Sequence, residues 1–436
     1  MSKAFSHPLS PIDENHLLYG NFIGLQYAFT EGLDGDLLAK SILALVSRFT
    51  ALSGRYDAKQ GHIKLPGDPV SLTRRSHSGK LSDILAATGR PSFIQEPSRK
   101  DVLRGRAPLS TFTLTEFSDG GVILGIAVSH VLTDAAGYHL LMRHLGDIYT
   151  ALISKNAPPK IPFNTRLGAF EFGTDRSKLE TLAELKRRGL PKPIPIEGLI
   201  GGLIKSLIIK AMDKSIRHNV PIRIHFSPNQ VTHLKETVLT ESGEDWISTN
   251  VALCAHFTSL MAKLSYGDDI KTEMQIGQLL DLRGRYFEDD LNAQSQYVGN
   301  AILIHIDEAA FPEGLQNTSR GVLAQYFKQR QAKTTADDVK DRLDLLSDCL
   351  RHGYTNPELD VKNPIISLNN QSKMAIYDVS FSGQQPRMIY PQDVGDNIML
   401  FPAADGGIDI YIRDIVNPQR QEQLLAPDWQ KRIFDF

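Results

Sequence analysis

The sequence predicts an α+β fold in two lobes of similar size. Strand-like alternation and helix-like apolar spacing recur in both halves, and a Lys-, Arg- and Pro-rich stretch between about Asp175 and Val220 separates them. A chain of 436 residues also exceeds what one hydrophobic core ordinarily serves. The expected division is an N-terminal lobe over 1–180, a crossover over 181–220 and a C-terminal lobe over 221–436.

Along the first half, Leu17 to Thr30 mixes aliphatic and aromatic residues as a strand does, and Leu37 to Val46 has helical spacing with Asp36 as its cap. Leu52-Ser53-Gly54 ends that helix at a glycine, and Gly61 to Leu65 alternates. Pro108 to Thr115 and Gly121 to Ser129 form a hairpin around Ser118-Asp119-Gly120. Ala135 to Leu152 then spaces Leu141, Leu145 and Ile148 helically, so His130 to Asp134 sits at a strand-to-helix junction, a place that projects side chains into clefts. In the second half, Ile222 to Phe226 reads as a strand, Ser227-Pro228 opens a helix and Thr249 to Leu264 is a long apolar helix. Glu273 to Leu282, Ala301 to Ile306 and Gly407 to Ile412 read as further strands.

Composition excludes several functions. A formal net charge of −2 with no basic block gives no footprint for nucleic acid. Cys254 and Cys349 lack disulfide or zinc spacing, which fits a reduced compartment. The amino terminus has no secretory signal pattern. The most apolar window, Ile194 to Met212, contains Glu197, Lys205, Lys210 and Pro195 and fails as a membrane anchor. The expectation is a cytoplasmic protein with no metal, membrane or nucleic-acid partner.

Among thirteen histidines, His130 is distinguished by its setting. It ends an apolar strand, an acid follows four residues on, and small Ala135, Ala136 and Gly137 leave room for a ligand. An imidazole there can take a proton from an alcohol or amine attacking an acyl carbonyl. His139, Arg143, His144 and Asp147 read as a solvated helix face rather than metal ligands. There is no G-x-S-x-G elbow, phosphate loop or dinucleotide fingerprint.

His130-x-x-x-Asp134 after a strand, with Asp281-Leu282-Arg283-Gly284-Arg285 and Tyr297-Val298-Gly299-Asn300-Ala301, resembles the BAHD acyltransferases and their fungal trichothecene-acetyltransferase-like relatives. Leu9-Ser10-Pro11-Ile12-Asp13, Leu52-Ser53-Gly54-Arg55 and Phe226-Ser227-Pro228 extend the likeness along nearly the whole chain. The resemblance implies two chloramphenicol-acetyltransferase-like lobes, each a mixed sheet flanked by helices, with a channel between them. It implies His130 as general base, and Asp134 as a structural group paired with Arg283, or with Arg285 if the strand continues. Asn300 is expected near the channel, and Ser367, Asn369 and Asn370 as polar channel residues, one donating to an oxyanion. No permanently bound cofactor is implied. Acyl-CoA is the co-substrate, a small alcohol or amine of specialised metabolism the acceptor, and the protein a monomer.

Two departures stand out. Asp134-Ala135 replaces the usual Asp-Gly step, and in the expected D-F-G-W-G region, Tyr377 to Pro386, only Phe381 and a displaced Gly383 remain. Two other readings follow: a condensation-type enzyme fed by a carrier protein, disfavoured because Ser129 rather than a second histidine precedes His130, and a non-catalytic ligand-binding relative.

Overall fold

The computed structural model describes residues 5–10, 12–13, 21–57, 62–65, 67, 69–87, 91–160, 174–188, 190, 193, 221–266, 275–286, 296–308, 311, 314–354, 365–392, 398–413 and 422–436. Among them the strands form three sheets. A small one comprises β1 (Phe5–Pro8), β3 (Arg55–Asp57) and β4 (His62–Leu65) in the order β1-β4-β3. The first-lobe sheet contains β2 (Phe22–Phe29), β5 (Leu72–His77), β6 (Ser110–Phe117), β7 (Val122–Ser129) and β12 (Met388–Pro391), ordered β12-β2-β7-β6-β5. The second-lobe sheet contains β8 (Ile222–Phe226), β9 (Gln275–Asp281), β10 (Ile302–Glu308), β11 (Ile365–Asn370), β13 (Ile398–Pro402) and β14 (Ile408–Ile412), ordered β10-β9-β11-β13-β14-β8.

β7 lies at the centre of the first sheet and every residue of it is buried. Leu124, Ile126 and Val128 pack with Leu38, Ile42 and Leu45 of the helix Gly35–Arg48 and with Leu141, Leu145 and Ile148 of the helix Ala135–Ile153. Ile123 packs in a second cluster with Leu81, Phe93 and Phe117. A strand held on both faces has little freedom, so its end delivers the next residue, His130, to a defined place. The helix Gly35–Arg48 is capped by Asp34, whose Oδ1 accepts from the backbone N–H of Asp36 and Leu37, and not by Asp36. Both acids flank Gly35, and only the one preceding the helix can reach back to its first amides.

In the second lobe the helices Pro228–Ser242, Thr249–Tyr266 and Arg320–Lys333 bury one sheet face in a separate core. Ser227 and Gln230 close a capping box at the start of the first of these. The other sheet face meets the first lobe: Met399, Phe401 and Tyr411 pack in the first-lobe cluster. β12, from the C-terminal stretch, pairs antiparallel with β2, Ile389 opposite Tyr27, so the two lobes exchange chain.

β9 ends at Asp281, and Arg283–Tyr286 is a short helical turn. The regular strand that would align Asp281, Arg283 and Arg285 therefore stops before Arg283, and the Arg285 side chain lies outside the described residues. Much of 181–220, including the window Ile194 to Met212, also lies outside them. The helix Lys178–Arg187 is described, and just before it Thr174 and Arg176 both bond the buried Asp348 of the helix Ala336–Arg351, each at 2.9 Å. Among the described residues no helix is long and apolar enough to cross a membrane, no group of His, Cys, Asp and Glu is arranged to hold a metal, and both cysteines are free.

Candidate active site

The chain leaves β7 in a tight turn: His130 N donates to the Asn21 carbonyl at 2.8 Å and Leu132 N to the Ser129 carbonyl at 2.9 Å. Val131, Leu132 and Thr133 are buried, whereas His130 is partly exposed. Thr133 Oγ donates to the Val298 carbonyl at 2.6 Å, tying the turn to the second lobe. Gly137, in the first turn of the helix Ala135–Ile153, lets that segment approach closely. A Cβ there would lie 2.0 Å from the Val298 carbonyl oxygen and 2.4 Å from Thr133 Oγ. Gly137→Ala should therefore destabilise the protein by about 1–3 kcal/mol, the usual scale of overpacking, and lower activity by moving the turn; thermal unfolding with a turnover assay checks both, and an unchanged Tm would refute the contact.

Asp134 is the N-cap of the same helix, its Oδ1 accepting from Gly137 N at 2.9 Å. Only 1% exposed, it is gripped by Arg283: Nη1 donates to Oδ2 at 2.9 Å and Nη2 to Oδ1 at 2.8 Å. Ala301 N supplies a further bond to Oδ2 at 2.8 Å. Arg283 also donates to the carbonyls of Tyr297 and Gly299 and to Asp281. Burial alone would push the Asp134 carboxyl up, but the Arg283 guanidinium and these N–H groups hold it below its ordinary value. This fork joins the His130 turn to the segment 297–301 and to the end of β9.

Asn300, fully buried, is clamped onto His130. Its Nδ2 donates to the His130 backbone carbonyl and to Asp13 Oδ1, both at 2.7 Å. Its Oδ1 faces His130 Nδ1 at 3.0 Å. Because both amide hydrogens point at pure acceptors, the oxygen must be the atom facing the ring, so Nδ1 carries the proton and the lone pair of the neutral imidazole lies on Nε2. Burial lowers the His130 pKa below its ordinary 6.5, against the opposing pull of its own carbonyl, the Asp134 charge and Asn300. The ring is thus neutral near pH 7.

Asp13, also fully buried, completes the chain, with Oδ2 accepting from Ser10 N at 2.9 Å and Ser10 Oγ at 2.7 Å. Burial raises its carboxyl to about 6, despite the bonds from Asn300 and Ser10. In the sequence Asp13 stands out only as part of the opening motif. The local signal was the Ser10-x-x-Asp13 spacing, which places a hydroxyl beside the acid, while its partner Asn300 lies 287 residues away.

Asn369 pairs with Met399, which faces the first lobe, so by strand alternation Ser367 and Asn369 share that interlobe face. Asn370 lies on the opposite face with Leu368 and donates to Asn250 at the start of the helix Thr249–Tyr266, away from the interlobe face. None of the three is bonded to His130. Of the expected solvated face, Arg143 and Asp147 are exposed, whereas His139 is half-buried and His144 is 8% exposed, and burial together with Arg143 pushes both imidazoles down to about 4.

The degenerate late segment is a structural strap. Phe381 is buried against Phe29 and Tyr149, ring centroids 5.5 Å away in each case. Ser382 and Gly383, at φ 56° and 83°, make the two-residue turn between Phe381 and Gln384. Ser382 N donates to Thr150 Oγ at 2.8 Å, and Gly146 lies where a Cβ would come within 2.3 Å of the Ser380 carbonyl oxygen. The strap thereby braces the helix that Asp134 caps.

Comparisons with known proteins identify the family and the fold. The model of the Transferase family matches residues 22–414. Hydroxycinnamoyl-CoA:piscidic acid hydroxycinnamoyltransferase of Actaea racemosa is 25% identical over 355 residues, 77% of this chain and 72% of that protein. The crystal structure of F. sporotrichioides TRI101 complexed with coenzyme A and T-2 superposes with a TM-score of 0.69 at 15% identity, covering 98% of each chain. Vinorine synthase superposes with a TM-score of 0.65 at 14% identity, over 97% of this chain and 92% of that one.

Proposed function

This chain belongs to the Transferase family of BAHD acyltransferases, which use acyl-CoA as co-substrate, and we propose that His130 is the general base by which it acylates a hydroxyl or amine of a small specialised metabolite. The observation that carries this is the bond between His130 Nδ1 and Asn300 Oδ1, which leaves the imidazole lone pair on Nε2. The acceptor proton passes to Nε2 as its oxygen or nitrogen attacks the thioester carbonyl. The tetrahedral oxyanion then collapses, the C–S bond breaks, and the departing CoA thiolate takes the proton back from Nε2. Ser367 and Asn369, on the interlobe face, are the proposed donors to the oxyanion. Asp134 and Arg283 hold the turn and touch neither reactant. That one relative is named for hydroxycinnamoyl transfer and another holds coenzyme A with T-2 supports a small-molecule acceptor. One chain supplies both sides of the site, so the proposed working unit is the monomer.

Because burial lowers the His130 pKa, protonation removes the base only below pH 6.5, and kcat/KM should stay level down to that pH and fall beneath it. A limb falling already above pH 6.5 would contradict this. The overall reaction is tested by supplying either acyl-CoA or acyl-carrier protein with a broad acceptor panel and following thiol release and product mass. Transfer from acyl-CoA supports the proposal, transfer from the carrier alone supports a condensation-type enzyme, and binding without product supports a non-catalytic relative.

A further inference from the structure

We infer that Asp13 is a remote positioning residue that selects the reactive tautomer of His130 by fixing which way round the Asn300 amide sits. This rests on the reading of His130 as base. An asparagine amide is nearly symmetric in shape, and turning it over exchanges a donor for an acceptor at the same place. With Asn300 reversed, an NH2 group would face His130 Nδ1, the ring proton would move to Nε2, and the nitrogen needed to accept the substrate proton would be blocked. The carboxylate of Asp13 weighs against reversal. It presents only acceptors, and its Oδ1 takes the Asn300 Nδ2–H at 2.7 Å in a fully buried setting where an oxygen facing an oxygen is severely penalised. Ser10 in turn fixes Asp13, with its backbone N–H and hydroxyl both directed at Oδ2.

That arrangement makes an isosteric change unusually informative. In Asp13→Asn the Ser10 backbone N–H, which cannot turn, keeps the one remaining oxygen of the new amide on its own side. The NH2 group of the new amide then faces Asn300 and favours the reversed orientation, against the His130 carbonyl, which still accepts from Asn300 Nδ2, so the reversed form becomes populated beside the original one. Volume and packing are preserved while the polarity of the relay is inverted. The double exchange Asp13→Asn with Asn300→Asp places a carboxylate between the new amide and His130, an acceptor toward each, which restores the proton to Nδ1 while leaving the His130 carbonyl without its donor.

The test is 15N NMR of histidine-labelled enzyme without substrate, with the His130 signals assigned by their loss in His130→Gln, alongside steady-state kinetics. Wild type should show a protonated Nδ1 and an unprotonated Nε2. Asp13→Asn should shift the population toward the Nε2–H form and lower kcat about 10- to 100-fold, the scale of one hydrogen bond to a charged group, with KM little changed. The double exchange should return the wild-type tautomer and recover part of kcat. A wild-type tautomer in folded Asp13→Asn overturns the inference, since a merely structural Asp13 would alter stability without altering the ring. A changed tautomer with unchanged kcat would leave Asp13 as the selector and overturn His130 as the base, so the two failures are distinct.

Discussion

Replacing His130 by alanine should lower kcat by about two to four orders of magnitude, the range that general-base catalysis commonly supplies, while the protein stays folded. The fold should survive because the backbone of this residue keeps its bonds, its N–H to the Asn21 carbonyl and its carbonyl to Asn300, although the ring's bond to Asn300 Oδ1 is lost. The ring is partly exposed, so its removal leaves no large sealed cavity. Steady-state turnover and thermal unfolding measured on the same preparation separate the two effects. Wild-type turnover by the variant would remove His130 from the chemistry, and a collapse of Tm would show that the ring serves the fold instead.

The second large effect is expected on stability. Arg283→Ala leaves the Asp134 carboxylate buried with only the amides of Gly137 and Ala301, and strips a donor from the carbonyls of Tyr297 and Gly299. Breaking a buried pair from one side costs about 3–5 kcal/mol, because the remaining charge stays desolvated. Lysine keeps the charge but has no planar fork, so Arg283→Lys should be intermediate. The pH dependence has a definite sign. In the wild type Asp134 titrates below its ordinary 3.8, so its stabilising contribution is present above that value and lost as pH falls. In Arg283→Ala, burial without the guanidinium raises the carboxyl, which then costs stability as pH rises through its new value. The stability gap between the two proteins should widen from acid to neutral pH in denaturant unfolding. A gap that stays constant would mean that the pair is not what holds the turn.

Much of the site is legible in the sequence because its parts announce themselves locally. The apolar run of β7, the turn chemistry before it and the helical spacing after Ala135 place His130 and Asp134 at a junction, and Arg283 lies in a recognisable segment. What local pattern cannot supply is the partner across hundreds of residues. Asn300 reads as a polar residue near a channel, yet its amide is spent on His130, its carbonyl oxygen included, and on Asp13. Ser367, Asn369 and Asn370 look equivalent until the pairing with β13 shows that alternation turns Asn370 toward the helices. Similarly, the apolar strand Met388–Pro391 carries no mark of which sheet it joins, and it crosses to the first lobe. The helix Arg320–Lys333 escapes notice because its apolar residues do not gather on one stripe. The decayed late motif is explained only by its contacts: a buried Phe381 and a turn braced on Gly146 and Thr150 do not need the lost tryptophan.

Coenzyme A soaked into crystals of the protein decides whether the imidazole and the donor meet. His130 as base requires the thiol sulfur to arrive on the Nε2 side of the ring, within about 3–3.5 Å, the separation of atoms poised to react. A thiol ending elsewhere along the interlobe face, or a His130 ring turned with Nδ1 toward it and released from Asn300, would contradict the mechanism.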